Sequence, residues 1–491
     1  MMKSIRSYTF MILALFLFTG CKKFLEEQSQ TLAYAKTWQK LDEVLRGEVY
    51  VINKGLPFKF LNTMDDDIAD YVSSVSFIDA RSDVFGFYTW QANPFTANTF
   101  MQLTDNTWAP VYRRINAANI IAYQAASSKD DPAQLKRIRG EALFMRAYYY
   151  FYMVNIYAAA YKPSTAATDM GVPLKISEYV EDRFFTRSTV DSVYQQMVAD
   201  LETAEQCLEG AGQRNTYRAD INAVNLLQSR IYLYMQQWEK SIAAADKVLA
   251  RKPALSQLAA YIPRTSFLTK EAPEVIFTQD GNMIMGIMPE VFPPKAMQPT
   301  AELMALYTGN DLRKSAFFEL SSGKYRYTKV YSSSMNNIIP TETASDVFTM
   351  RVAEAYLNKA EALAMLKKDP EANQVINTLR RTRFPAAFFQ PVDLSGAALA
   401  AFVRDERRRE LSFEGHRWFD LKRYAVNSVY PFSKKIIHQY TDVFFGGSPF
   451  VKASLALEPN DPAYVFPIPA DAIIFNQGVL KQNPQRPDRT F

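Results

Sequence analysis

The chain contains 491 residues, of which 48% are hydrophobic, 14% aromatic and 22% charged, a composition typical of a globular protein with a large core. The formal net charge is +5, and subtracting the charges of Lys3 and Arg6 leaves +3; acidic and basic residues are interspersed, which argues against a nucleic-acid partner. Two histidines and two cysteines are too few to build a zinc site rich in either residue.

The N-terminus has the order of features found in a signal peptide. Lys3 and Arg6 precede an uninterrupted apolar run of nine residues, 10–18. A membrane-spanning helix needs about 20 apolar residues, so this run fits the core of a signal peptide and not a transmembrane segment.

Small residues directly before Cys21 make the segment resemble a bacterial lipoprotein signal, although Phe18 stands where Leu is usual. We therefore predict that residues 1–20 are cleaved, that Cys21 is acylated as the lipid anchor, and that the polar segment 21–31 is a tether. An ordinary secretory signal with an incidental cysteine is the alternative. Acylation of Cys21 would leave Cys207 without a disulfide partner, so core packing must hold the fold.

The first strong helical period follows. Apolar residues spaced by four and three predict a helix from Ala133 to Tyr157, and Ser188 is predicted to cap the next helix, through Leu201. The apolar face of the first helix consists of Leu143, Ala147, Tyr150, Val154 and Tyr157.

Paired helices recur further along the chain. Residues 219–251 predict two helices joined by a turn at Gln236 and Gln237, a unit of about the tetratricopeptide length. A second pair has its first helix from Met350 to Ala364 and its turn at 367–370, and a final helical stretch is predicted from Leu399 to about Tyr424. The sequence therefore predicts a mostly α fold of helical hairpins.

The remaining segments are rich in Pro, Asn, Thr, Ser and aromatic residues without a helical period, and are predicted to form loops with short strands. We expect one structural unit, 32–491, in which a helical scaffold supports a loop-rich, ligand-binding half. The scaffold is predicted mainly at 32–56, 111–160, 188–251, 347–384 and 397–425. The loop-rich half is predicted mainly at 58–110, 252–345 and 428–491.

Two loop clusters combine aromatic side chains with amides and charges, which suits the apolar faces and hydroxyl rims of sugars. The ligand-binding candidates in the first cluster are Asp79, Arg81, Asp83, Tyr88, Trp90, Asn93 and Phe95. Those in the second are Tyr307, Asn310, Asp311, Arg313, Tyr325, Tyr327 and Tyr331. The alternative for Trp90 and Phe95 is that they belong to the core.

A charged string near the C-terminus places Glu406, Glu410 and Glu414 at intervals of four, with Arg404 and 407–409 around them. We expect a partly buried ion-pair network, made with the neighbouring arginines, that locks the last helix pair to the loop half. A metal or acid–base site using His416 and Asp420 is the alternative. The structural signature comprises Glu406, Arg407, Arg409, Glu410, Glu414, His416, Arg417, Trp418 and Asp420.

A second acidic group, Asp65, Asp66, Asp67 and Asp70, lacks the alternation and glycine of a calcium-binding EF-hand loop. We interpret it as a solvated turn and helix start, with calcium as the alternative, and predict no metal and no cofactor. The sequence also contains no glycine-rich phosphate loop and no nucleophile elbow.

Several strings, taken together, resemble the SusD/RagB family of bacterial outer-membrane nutrient-binding lipoproteins. The strings are RDERRRELSFEGHRWFDLKRY at 404–424, GEALFMRAY at 140–148, GVPL at 171–174, the helix pairs at 223–248 and 351–383, FPIP at 466–469, and QNP at 482–484. The resemblance covers essentially the whole chain after Cys21.

The resemblance implies about four tetratricopeptide-like helix pairs, in a right-handed superhelical scaffold, that cradle an irregular ligand-binding half. It implies a lipid-anchored protein of the cell outer membrane, facing outward, that delivers oligosaccharide to a SusC-like TonB-dependent transporter and is not an enzyme. The binding residues of the family are not part of its shared motifs, so the resemblance assigns none here. A peptide ligand, a scaffold that binds only its protein partner, and a hydrolase are the alternatives.

Overall fold

The computed structural model describes residues 37–50, 58–75, 79–279, 284–288, 295–321, 323–330, 344–345, 347, 349–444 and 447–490. The predicted signal peptide, Cys21, the tether and Tyr331 lie outside these residues.

The described residues are mainly helical, as predicted. The helices are α1 (Trp38–Val44), α2 (Phe85–Tyr88), α3 (Trp108–Ser127), α4 (Pro132–Tyr157), α5 (Val190–Leu208), α6 (Ile221–Tyr234), α7 (Trp238–Arg251), α8 (Ile284–Ile287), α9 (Ala301–Leu306), α10 (Arg313–Phe317), α11 (Val352–Met365), α12 (Asp369–Arg381), α13 (Gly396–Glu410), α14 (Arg417–Ala425) and α15 (Ala470–Phe475). No helix among them is both long enough and apolar enough to span a bilayer.

The short strands pair into two-stranded antiparallel sheets, and all of them except β6 lie in the segments predicted to be loop-rich. Strand β6 occupies Met350 and Arg351, where a helix was predicted to begin, and that helix starts at Val352 instead. The pairs are β1 (Ile68–Val72) with β3 (Lys295–Pro299), β2 (Val275–Phe277) with β6 (Met350–Arg351), β4 (Phe318–Ser321) with β5 (Lys324–Tyr327), and β7 (Ile436–Val443) with β8 (Pro449–Leu457).

Helix α4 is the central element of the scaffold and packs against both α3 and α5. Asp131 caps its first turn by accepting hydrogen bonds from the backbone N–H groups of Ala133 and Gln134, and Pro132 occupies the position where a missing N–H costs nothing. A Cβ atom on Gly140 would lie 2.8 Å from Leu208 Cγ, so only glycine lets α4 and α5 approach this closely.

Two predicted helix boundaries need correction. Thr189 and not Ser188 caps α5, because the Thr189 side chain accepts a hydrogen bond from the N–H of Ser192. The stretch predicted as one helix is two, α13 and α14, because the backbone at Phe413 and Gly415 is left-handed, with φ of 58° and 75°. An L side chain at Gly415 would be strained in that conformation.

Consecutive helices form the predicted pairs. Helix α6 packs against α7 across a tight turn in which Gln236 has φ of 61°, and α11 packs against α12 across a turn in which Lys367 has φ of 60°. Helix α11 also packs against α7 and α13, which links the pairs into one stack. The tetratricopeptide-like geometry of each pair and the right-handed superhelical path stay predictions.

Candidate ligand-binding site

Arg81, which is almost fully buried, connects several segments of the loop-rich half. Its guanidinium donates to Asp79 through Nε and Nη2, both 2.8 Å, to Asp70 Oδ1 at 2.6 Å, and to the carbonyl of Thr441 at 3.0 Å. Burial opposes the charge of this group, but Asp79 and Asp70 raise its pKa overall. Arg81 therefore joins β1, the turn at 79–84 and β7.

A stack of three rings lies beside this node. The ring of His438 lies between those of Tyr88 and Trp90, with centroids 4.2 Å away on each side. Trp90 is fully buried, has φ of 50°, and donates from Nε1 to the carbonyl of Met64 at 2.9 Å. Tyr88 and Trp90 are therefore core residues in this structure and offer no surface to a ligand. For Trp90 this is the alternative weighed from the sequence, and for Tyr88 it corrects the assignment to a ligand surface.

The His438 ring has its two nitrogens 2.8 Å from the carbonyl oxygens of Tyr88 and Asp65. Burial lowers the pKa of this imidazole to about 4, although both carbonyls and Asp66 oppose that shift. A neutral ring donates to only one of the two carbonyls.

The exposed part of the first cluster is smaller than the sequence suggested. Asn93 and Asp83 are exposed and Phe95 is half-buried. Phe95 packs edge-on against Phe87 at 5.3 Å and against Phe466 at 6.3 Å, so it covers the core with one face.

The most exposed apolar side chains of this region were not among the sequence candidates. Phe100 and Met101 are 67% and 69% exposed, and Phe100 rests edge-on against Phe85 at 5.9 Å. Phe444, which is 67% exposed, stacks on Phe450 near the tip of the β7–β8 hairpin, with centroids 4.2 Å apart and planes 9° apart. The feature of the sequence that could have identified Phe100 and Phe444 is an aromatic residue among small and polar turn residues.

The hairpin carrying Phe444 is tied to the rest of the surface. Lys295 of β3 forms an ion pair with Asp442 at 2.9 Å, and the segment containing Lys295 also pairs with Asp79. Tyr440 lies under the Arg81 guanidinium, whose Cζ is 4.6 Å from the ring centroid. Phe85, which supports Phe100, packs edge-on against Tyr440 at 5.2 Å, so both exposed rings are connected to the residues around Arg81.

The second sequence cluster is mainly structural. Tyr307 and Tyr327 are buried, and the Tyr307 hydroxyl donates to the carbonyl of Arg409 at 2.8 Å. Arg313 is fully buried and binds Asp311 through two hydrogen bonds. Asn310 is exposed. The assignment of Tyr307, Arg313 and Tyr327 to a ligand surface is therefore corrected, because all three are buried.

The charged signature forms an ion-pair network that is more completely buried than predicted. Glu410 accepts from Arg351 at 2.7 Å, from Arg383 at 2.8 and 3.0 Å, and from Arg313 at 3.1 Å. Burial alone would raise the pKa of Glu410, but Arg383 and Arg351 hold it well below its ordinary value. The main partners thus come from distant segments and not from the neighbouring arginines expected from the sequence.

The neighbouring arginines have other roles. Arg407 donates to Asp420 at 2.8 Å and lies 3.3 Å from His416 Nδ1, so a guanidinium occupies the place that a metal would need between these two side chains. Arg409 alone pairs locally, with Glu406 at 2.6 Å.

The acidic group at 65–67 is buried and not solvated, which corrects the sequence interpretation. Arg417 binds Asp66 through two hydrogen bonds of 2.7 and 2.8 Å, and Arg408 binds Asp67 at 2.6 Å. The three carboxylates approach within 4.8 Å of one another. Burial, together with the other two carboxylates, raises the pKa of Asp65 well above its ordinary value.

Comparisons with known proteins agree with this architecture. A family model described as "SusD family" matches residues 295–485, and another, "Starch-binding associating with outer membrane", matches residues 23–233. The SusD-like protein P2 of Formosa agariphila is 22% identical over an alignment of 461 residues, and the match covers 80% of this chain and 83% of that protein.

Solved structures share the fold. A putative sugar binding protein from Bacteroides vulgatus superposes with a TM-score of 0.72 at 19% identity, covering 92% of this chain and 99% of that one. A SusD superfamily protein from Bacteroides thetaiotaomicron gives a TM-score of 0.70 at 22% identity, covering 91% and 100%.

Proposed function

Because the chain belongs to the SusD/RagB family, we propose that it is a carbohydrate-binding protein of the bacterial outer-membrane surface. Members of this family are binding proteins rather than enzymes. One of the matching families is described by starch binding in association with the outer membrane, and a protein of the same fold is described as a putative sugar binding protein. These relatives support an oligosaccharide as the ligand.

The observation that carries this proposal is the exposure of aromatic side chains on a rigid base. Phe100 and Phe444 present apolar faces to solvent, and Asn93 supplies an exposed amide in the same loop-rich half. The C–H face of a pyranose packs on an aromatic ring, and amides and carboxylates satisfy its hydroxyl groups. Arg81 and the hairpin pairing hold these positions, so little ordering is needed when a glycan binds.

The buried carboxylates suit an ion-pair role better than glycoside hydrolysis. A glycosidase needs one carboxyl group with a raised pKa and a second carboxylate facing it across an open cleft. Burial would raise the pKa of Glu406, but Arg313 and Arg409 lower it to about 2. Asp65, whose pKa is raised, is closed off from solvent. We therefore expect binding without turnover.

We also propose that Cys21 carries palmitate or a related acyl chain, which moors the protein to the outer membrane with its ligand surface outward. Lipid chains contribute about 0.8 kcal/mol per buried CH₂ group, so a multiply acylated cysteine is a stable anchor. The test is radioactive palmitate labelling and fractionation of the native chain and of Cys21→Ser. Equal labelling and membrane retention of both would refute the anchor.

The proposed recipient of the ligand is a SusC-like TonB-dependent transporter. A gene for such a barrel next to the gene for this chain, and copurification of the two proteins from detergent-solubilised outer membranes, are the expected results. Loss of glycan growth on deletion of either gene would support delivery.

Calorimetric titration of the mature chain tests the ligand class. We expect heat from a subset of oligosaccharides and none from peptides of similar size. Saturable binding of peptides alone would favour a peptide-binding member of the family, and the absence of any small-ligand heat would favour a scaffold that binds only its protein partner. Release of reducing ends from a bound glycan would show a hydrolase.

A further inference from the structure

A cavity of about 510 Å³ opens at the C-terminal end of α14, within the ~300–1,000 Å³ typical of small-molecule sites. Three chain segments wall it, and none contains a candidate weighed above. The lining residues are Lys162, Pro163, Ser164, Ala425, Val426, Asn427, Ser428 and Asn460.

The wall formed by α14 is fixed to the end of α4. Lys422 is buried one turn before Ala425, and its Nζ donates to the carbonyls of Asn155 and, at 3.0 Å, Ala158. The segment that carries Lys162 leaves α4 just after Ala158. The two walls are therefore joined by hydrogen bonds behind the cavity.

The segment after α14 is clamped by one side chain. Gln236 donates from Nε2 to the carbonyl of Val426 at 2.9 Å, and its Oε1 accepts from the N–H of Ser428 at 2.9 Å. The carbonyl of Tyr424 accepts from the N–H of Phe432 at 2.9 Å. The carbonyls of Tyr424 and Val426, at the end of the helix, are thus already used within the protein, which reduces the negative potential that this end would offer a ligand.

The third wall is a turn with a fixed shape. Asn460 has φ of 64°, and the next residue, Asp461, accepts from the N–H of Ala463 at 2.8 Å and pairs with Arg489 at 2.7 Å. The cavity is therefore built from three held segments.

We propose that this cavity binds a single acidic monosaccharide unit, such as a uronic acid. Among the described lining residues, the amide of Asn460 and the hydroxyls of Ser164 and Ser428 are exposed and can satisfy sugar hydroxyl groups. Pro163, Ala425 and Val426 offer apolar surface to a C–H face. Lys162 is the single charged residue of that lining, and an ammonium attracts a carboxylate. Neutral sugars lack that contact.

This site is separate from the aromatic surface. Asn460 follows the end of β8, whereas Phe444 and Phe450 lie at the other end of the hairpin. A strand of nine residues rises about 27 Å at 3.4 Å per residue, so the two sites are distinct. The inference does not depend on the aromatic surface, and the loss of binding at one site leaves the other intact.

The test is NMR or calorimetric titration of the full mature chain with galacturonate and glucuronate, and with galactose and glucose as neutral counterparts. We expect a uronate to bind at least about tenfold more tightly than its neutral counterpart, and Lys162→Ala to remove that preference. Ser428→Trp, which fills the cavity from an exposed position, should abolish uronate binding, whereas Ser315→Trp, a matched exposed serine on α10, should not.

Unchanged uronate binding in Ser428→Trp would overturn the assignment, as would equal affinity for charged and neutral sugars or no saturable binding of either. Lys162→Ala removes an exposed side chain and should fold normally. If Ser428→Trp does not fold, the uronate affinity of Lys162→Ala therefore tests the assignment. Retention of uronate binding in Phe444→Ala would separate this cavity from the aromatic surface.

Discussion

Arg351 binds Glu414 through two parallel hydrogen bonds, from Nε to Oε2 and from Nη2 to Oε1, each 2.8 Å long. The pair joins strand β6 to the turn between α13 and α14. The same guanidinium reaches Glu410 and Glu274 at 2.7 and 2.9 Å, and all four side chains are buried. The family signature at 404–424 is therefore the junction of the scaffold with the loop-rich half.

Breaking this junction should be costly. Replacing Arg351 by Met leaves Glu414 buried without its main partner and removes one of the three arginines that bind Glu410, which we expect to lower the free energy of unfolding by about 3–5 kcal/mol. Urea denaturation of Arg351→Met measures the loss. Arg264→Met, which removes a 70% exposed partner of Glu319, should cost no more than about 1 kcal/mol. Equal losses in the two variants would contradict the junction.

Trp90, a core residue of the first cluster, and Phe100, an exposed residue outside that cluster, should differ in their effects on stability and on binding. Trp90→Ala removes a fully buried indole and should lower the free energy of unfolding by about 3–5 kcal/mol. Phe100→Ala removes an exposed ring and should leave stability within about 0.5 kcal/mol while weakening glycan binding. Thermal unfolding measures the stability of both variants, and calorimetry measures their glycan binding. A Trp90→Ala variant that is stable but no longer binds glycan would show that Trp90 belongs to the ligand site.

The buried amine of Lys422 should make the stability of the protein depend on pH between about 7 and 10.5. Burial lowers the pKa of its amine from 10.5 to about 7. Since the unfolded chain then binds more protons between about pH 7 and 10.5, the contribution of this group to stability rises with pH through that window and is flat below it. The difference in unfolding free energy between the native chain and Lys422→Met should change over this range, and a constant difference would disprove the shift.

The two histidines should both be neutral near pH 6. Burial lowers the pKa of His438 to about 4, and burial with Arg230 and Arg407 nearby lowers that of His416 well below 6.5. Both folded pKa values lie below the unfolded one, so the stability that each histidine contributes is present above pH 6.5 and lost as the pH falls; for His438 the loss extends down to about pH 4. ¹⁵N–¹H correlation spectra of the imidazoles report the protonation states, and an imidazolium pattern from His438 at pH 6 would be the opposite result.

Local patterns in the sequence predicted the local structure well. The four-three spacing of apolar residues from Leu143 to Tyr157 helped to identify α4, whose observed first residue, Pro132, is one before the predicted start. The spacing suggested one apolar face, whereas the structure buries every residue from Gly140 to Tyr157. Thr189 replaced Ser188 as the cap because either hydroxyl can take that role, and only the backbone path selects one. The break at Phe413 was missed because nothing local in a phenylalanine signals a left-handed backbone.

Contacts between distant segments were beyond the sequence. Arg417 and Arg408 bind Asp66 and Asp67, although more than 300 residues separate these partners in the sequence. The residues next to the two aspartates therefore suggest a solvated turn and do not show that the carboxylates are buried. The same reasoning applies to the exposed rings: whether an aromatic residue such as Phe444 packs inward or projects outward depends on the tertiary fold.

The central claim is that exposed aromatic side chains of the loop-rich half bind a glycan. The most direct measurement is calorimetric titration of the best-binding oligosaccharide into the native chain, Phe444→Ala and Phe388→Ala, the last a matched control at a 55% exposed phenylalanine after α12. Loss of one stacked ring should weaken binding by about 0.5–1.5 kcal/mol, roughly two- to tenfold, in Phe444→Ala alone. Equal affinity in all three proteins would contradict the account.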